Sequence, residues 1–206
     1  MPNHQTPPST IFPPSVLAAL SLALASCSSA PPAMPGASAQ DADAAWIEAA
    51  TPGPMHALLA GLAGDWRPVS AEDGGAPSPG ILAARMAMGG RYLEMEYRAG
   101  EGAEVRGRGT IGYNNLAARF ESVWHEATAS HIDMNTGTVD ASGSVFTFVG
   151  VQIDAATRRR MATREVMTLT PPDRLSIAFF WTPADEPGAR EEKQAELEFI
   201  RVPPPR

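Results

Sequence analysis

Four histidines, one cysteine and a scatter of carboxylates are the side chains through which this 206-residue chain could do chemistry. Nucleophilic catalysis needs a Ser, Cys or Thr beside a base, and no Gly-x-Ser-x-Gly elbow occurs. His125 and Glu126 are adjacent, so on a strand they point to opposite faces and cannot act as one dyad. Metal binding needs convergent ligands. The candidates are His56, His125, His131, Glu121 and Glu126, but no His-x-His or His-x-x-x-His spacing groups them, and surface histidines are the simpler reading. A haem site would need one axial histidine, and nothing marks His125 or His131 for that role. The sequence therefore assigns no catalytic residue, no metal and no cofactor. Acid–base chemistry from Glu94, Glu96, Glu126 or His125 at the mouth of a pocket stays open as the enzymatic alternative.

Binding has more definite candidates. Arg85, Arg91, Arg164 and Glu165 lie in apolar strand contexts, where an inward Arg would orient an acidic ligand head and an outward one would simply meet water. Trp66, Tyr97, Tyr113, Trp124 and Trp181 could wall a pocket or fill a closed core. Arg85, Tyr97, Tyr113, Trp124 and Trp181 are accordingly the candidate contacts for a small apolar or amphipathic molecule.

The formal net charge of −7, with Lys193 the only lysine, argues against a nucleic-acid partner, because phosphate binding needs a clustered positive footprint. The one basic run, Arg158-Arg159-Arg160, follows Asp154 and reads as a solvated turn. The first charge of either sign is Asp41 and the first basic residue Arg67, so composition changes sharply near that point.

Ahead of that boundary, Val16 to Ser26 is an uncharged apolar run of 11 residues. It is too short for a hydrocarbon core of about 30 Å, which takes about 20 residues, and fits the core of a signal peptide. Leu24-Ala25-Ser26-Cys27 resembles the bacterial lipobox, in which small residues precede a cysteine at the cleavage site. That resemblance implies a signal peptide over 1–26, diacylglyceryl transfer to the Cys27 thiol and acylation of the new amino terminus. Two or three acyl chains would anchor lastingly, at about 0.8 kcal/mol per buried methylene. Residues 1–15 carry no Lys or Arg, a departure from the usual basic start of an export signal. Ser28, where an Asp would suggest inner-membrane retention, favours the periplasmic face of the outer membrane in a bacterial cell envelope. With no second cysteine, no intrachain disulfide and no Cys-based metal site can form.

Residues 27–54, rich in Ala, Pro, Ser and Gly, read as a lipid-anchored tether. Within it, Asp41 to Ala50 has helix-forming composition, so either a short helix docks Trp46 on the folded domain or the segment is a mobile linker. The domain is expected over 55–202, followed by a tail at 203–206. It opens with a short helix, because Met55, Leu58, Leu59 and Leu62 recur at intervals of three and four. Alternating segments then predict strands near 65–70, 80–88, 91–98, 104–113, 118–126, 130–139, 144–151, 162–170, 173–182 and 193–202. Gly89-Gly90 and Asn114-Asn115 supply turns that tolerate positive φ. Ten short strands in succession predict an all-β antiparallel meander, and closing it into a barrel hides both edges. Leu93, Met95 and Tyr97, then Phe120, Ser122 and Trp124, then Leu175, Ile177, Phe179 and Trp181 form rows that should face inward.

Several of these segments together resemble a known bacterial family. Leu62-Ala63-Gly64-Asp65-Trp66, Gly89-Gly90-Arg91-Tyr92-Leu93, Gly112-Tyr113-Asn114-Asn115 and Phe120-Glu121-Ser122-Val123-Trp124 are similar to the domain of unknown function 1579 family, over about residues 55–202. The resemblance implies a lipocalin-like β-barrel in which Gly64 to Trp66 closes one end, and it implies no activity. Members often carry an acid directly after the residue matching Trp124, whereas here His125 comes first and Glu126 second. The expectation is a membrane-anchored lipoprotein binding a small molecule in its barrel, leaning away from an enzyme. A filled barrel serving as an envelope interaction module is the other non-enzymatic reading.

Overall fold

The computed structural model describes residues 39–70, 76–77, 79–99 and 104–203. The expected signal segment, Cys27, the first part of the tether and residues 204–206 lie outside the described residues. The chain divides into two units, Met1–Asp43 and Ala44–Arg206. Of the first, residues 39–43 are described and are helical. The second unit carries the barrel.

Its elements, in chain order, are α1 (Ala39–Ala50, begun in the first unit), α2 (Pro54–Leu62), β1 (Gly64–Ser70), β2 (Ala76–Pro77), β3 (Ile81–Ala87), β4 (Tyr92–Ala99), β5 (Glu104–Asn114), β6 (Arg119–Glu126), β7 (Asp133–Val139), β8 (Val145–Ile153), β9 (Arg160–Thr170), β10 (Arg174–Pro183) and β11 (Glu192–Arg201). Each strand from β3 to β11 pairs antiparallel with the next, and β1 pairs with both β3 and β11. The result is a closed antiparallel barrel of ten strands, with β2 a two-residue arm on β1. All ten expected strands are present; β2 is too short to leave a periodic signal.

Closure follows from local chemistry at one end. Pro54 starts α2 at a position where its missing N–H is not needed. The His56 ring turns back so that Nδ1 accepts the Gly53 N–H at 3.0 Å. Helix α2 then buries Leu59 and Leu62 inside that end of the barrel. Trp66 Nε1 donates to the Leu62 carbonyl at 2.9 Å, and the Arg201 guanidinium lies 4.0 Å over the Trp66 ring. The same guanidinium donates to the carbonyls of Ala63 (2.5 Å) and Gly61 (2.9 Å), which a helix end leaves without partners. First strand, last strand and plug helix are thus locked at one point.

Helix α1 forms where the sequence left helix and linker both open, and Trp46 does not dock, since it is 72% exposed. What holds this segment is the chain just after it: Arg91 Nε donates to Ala50 O at 2.6 Å, and Asn115 Nδ2 to Ala49 O at 2.8 Å and Thr51 O at 2.9 Å. The tether expected to run to residue 54 is therefore fastened to the barrel by residue 51.

Candidate functional site

The three rows expected to face inward do so, and burial along them grades from one end to the other. Leu93, Ile111, Phe120, Phe146, Phe148 and Met167, on the half nearer α2, are essentially inaccessible. Farther along the same inner faces, Met95 and Tyr97 on β4, Ser122 and Trp124 on β6, Thr163 and Glu165 on β9, and Phe179 and Trp181 on β10 keep some accessible surface. Among the described residues the interior is thus packed solid at the α2 end, the floor, and only partly closed off from water at the other, the recess.

Register explains how an indole fits this wall. Trp124 lies against β5 at Gly107 and Gly109, where any Cβ would run into its ring. Two residues without side chains make a flat bed for the indole, which lines the recess rather than crossing it.

The recess is also polar in a way the apolar rows do not announce. Asp133 and Asn135 on β7, Gln152 on β8, and Thr163 and Glu165 on β9 occupy inner positions, by their pairing with Trp124, Ser122, Trp181 and Phe148. Glu165 is enclosed by protein on nearly every side, yet its side chain keeps some contact with water, as at the bottom of an opening. Burial first, and the neighbouring Asp133 charge second, push its carboxyl up to about 7. Asp133 is raised too, chiefly by burial, against the lowering pull of His131 and of a hydrogen bond from Gln152. Asp133 Oδ1 is buried without a hydrogen bond, although His131 Nε2 stands 3.2 Å from it.

The expected contact residues separate on this frame. Tyr97, Trp124 and Trp181 all sit on the recess wall. Tyr113 belongs to the floor instead, edge-on to His56 (5.8 Å) and Phe120 (4.9 Å). Arg85 is outside, its side chain 56% exposed, paired with Asp65 at 2.5 Å and bonded to Gly64 O. Its neighbours Ala84 and Leu82 hold the inner parity of β3, so the apolar context was no guide to its face. Arg164 is outside as well, 4.0 Å over the Phe180 ring and paired with Glu191. Glu165, the next residue, is therefore the one member of that charged group that enters the barrel. Cys27 lies outside the described residues.

The acid–base candidates do not converge inside. Glu94, Glu96 and His125 share a shallow depression of about 500 Å³ on the outer face of β3–β6, in front of Arg85 and Arg108. Glu96 is ion-paired there, and the hydrogen bond from Arg98, with help from Arg108, holds its carboxyl below the usual range. Glu126 stands at the rim and accepts a bond from Thr128. His56 is a helix cap, and Glu121 pairs with Arg119 outside. Among the described residues no three His, Cys, Asp or Glu side chains gather as a metal site would require.

A larger cleft of about 600 Å³ lies outside the barrel, between the end of α1 and the outer faces of β5–β7, with Trp46, Tyr92, Val123 and Met134 in its walls. Among the described residues its lining includes no buried unpaired polar atom, whereas the recess has Asp133 Oδ1. Asp133, Asn135, Gln152 and Thr163 were missed in the sequence; the available signal was a polar residue at the parity of Gly137 and Val139 on β7, of Phe146 and Phe148 on β8, or of Met167 and Leu169 on β9.

Fold and site together define a single-chain antiparallel barrel plugged at one end by a helix and lined at the other by indoles and carboxyls. The chain belongs to the family described as Protein of unknown function (DUF1579), whose model matches residues 51–201. No curated protein matches the sequence closely enough to add to this.

Proposed function

We propose that this protein is a lipid-anchored envelope protein whose barrel takes one small amphipathic molecule into its recess. The observation that carries the binding part is the burial gradient: the α2 half of the interior is packed solid, while the inner side chains of the other half remain partly accessible and mix aromatic with polar groups. Pockets for small molecules have this make-up, a mainly apolar wall with a few placed polar groups. A core built only for stability would not carry carboxyls at inward positions, since each must be desolvated on folding. The anchor part rests on the run ending in Leu24-Ala25-Ser26-Cys27. It places the barrel at a membrane surface, where amphipathic molecules concentrate.

Native mass spectrometry of the full chain purified from a bacterial host, followed by organic extraction, tests the binding reading. A reproducible bound mass, reduced when Trp124→Ala empties the wall, is the expected outcome. A clean mass for the protein, together with no displaceable small molecule in solution, would sink it.

A further inference from the structure

We infer that the recess selects a small organic cation, an amine or guanidine whose N–H groups bond Asp133 and Glu165 while its carbon skeleton lies against Trp124 and Trp181. This rests on the reading of the recess as a binding site and adds the class of ligand. The sequence left Arg85 open between an inward contact for an acidic head and an outward residue meeting water, and the fold puts it outside.

A carboxyl deep in a protein is normally met by a cation or by several donors. Glu165 accepts no hydrogen bond and has no cation beside it among the described residues; burial and another carboxylate are what act on it. Its nearest arginine in sequence, Arg164, faces outward and is engaged with Glu191. Asp133 supplies the second observation: its Oδ1 is buried without a hydrogen bond, with His131 Nε2 3.2 Å away as its one basic neighbour, and it lies on a different strand facing the same interior. Glu126 adds charge of the same sign close enough to raise Asp133 further. Among the described residues this end of the interior thus gathers the carboxyls of Asp133, Glu165 and Glu126, with His131 the one basic side chain acting on Asp133 beside the neutral donors Asn135, Gln152 and Thr163.

Such a space repels a carboxylate or phosphate head and leaves a neutral head to compete with water. A cation satisfies both carboxyls, and the faces of two indoles attract it further. The Asp133 oxygen, which lacks a hydrogen bond, can take a donor, which favours an N–H cation over a quaternary ammonium. The Glu165 carboxyl, pushed up to about 7, would release its proton as the cation arrives.

Three probes of one size decide the matter: phenethylamine, 2-phenylethanol and 3-phenylpropanoate, titrated calorimetrically into the full chain at about pH 8, where Glu165 is largely ionised. The expected result is that the amine binds about tenfold more tightly than the alcohol, and that the carboxylate does not bind. Glu165→Gln and Asp133→Asn, which keep shape and remove charge, should each bring the amine down to the level of the alcohol while leaving the alcohol within about twofold. Equal affinities for amine and alcohol in the unaltered chain, or binding of the carboxylate, would overturn the cation and leave the recess standing as a site. Failure of all three to bind would overturn the site and the cation together. The comparison among probes needs no variant, so a misfolded variant would not blunt it.

Discussion

Glu165 shows at the scale of one residue what an unpaired buried carboxyl does to a protein. In the unfolded chain it titrates at its ordinary value of 4.5, and in the barrel at about 7. A raised folded value means that folding is favoured while the proton stays on, so this contribution is full below about pH 4.5 and is lost as pH rises to about 7. A shift of that size is worth up to about 3 kcal/mol. Asp133 on β7 moves in the same direction and adds to the slope, while Glu126 on β6 and His131 before β7 are the other charged groups facing them. Urea denaturation between pH 4.5 and 8 should show stability falling across that window, and Glu165→Gln should flatten most of the fall. An unchanged slope in the variant would mean that the carboxyl is solvated. Arg201 is the counterpart at the floor, where one guanidinium stacks on Trp66 and closes two helix carbonyls. Arg201→Ala should lower stability by about 2–3 kcal/mol, read as a shifted denaturation midpoint with an unchanged slope.

Among elements, the glycines of the inner wall matter more than any one strand's propensity. On β7, Gly137 lies under the Phe148 ring, and a Cβ there would stand 2.5 Å from a ring carbon and 2.9 Å from the Thr147 carbonyl. Gly137→Ala should therefore cost about 1–3 kcal/mol through overpacking, although alanine is the better strand residue, and thermal denaturation would show it. The Gly-Gly-Arg-Tyr-Leu and Gly-Tyr-Asn-Asn segments find their role at this scale too. Their Arg91 and Asn115 reach out of the barrel to hold the carbonyls of residues 49–51. Arg91→Ala combined with Asn115→Ala should raise amide hydrogen exchange over residues 44–51 while changing global stability by no more than about 1 kcal/mol, because those bonds lie outside the core. A global loss of several kcal/mol would show that the segment is part of the cooperative unit.

For the molecule as a whole, anchor and barrel are separable predictions. Under the anchor reading, Cys27→Ser should abolish incorporation of a labelled fatty acid and move the protein from the membrane to the soluble fraction, with the barrel's denaturation curve unchanged. Equal labelling of both chains would remove the anchor and leave the barrel and its recess untouched. Among the described residues α2 and Arg201 seal the floor, while the carboxyls and indoles lie toward the other end of the barrel.

Alternation and turn residues determined most of the architecture from the sequence alone, because a period of two needs only neighbouring residues to be read. Ten strands and the inward rows led by Leu93, Phe120 and Leu175 were legible in this way, the opening helix from spacing of three and four, and the Gly64–Trp66 closure only through the family resemblance. Tyr97, Trp124 and Trp181 were placed on the recess wall by the same parity. What only the tertiary structure decided was the sign of the interior. Arg85, Arg164 and Glu165 stand in similar apolar contexts, and one step of register separates an outer ion pair from a buried carboxyl. Asp133 drew no notice in the sequence, and pairing with Trp124 is what turns it inward. Burial depends on contacts between strands far apart in the chain, as does the difference between the packed floor and the open recess, so neither was written in any local pattern.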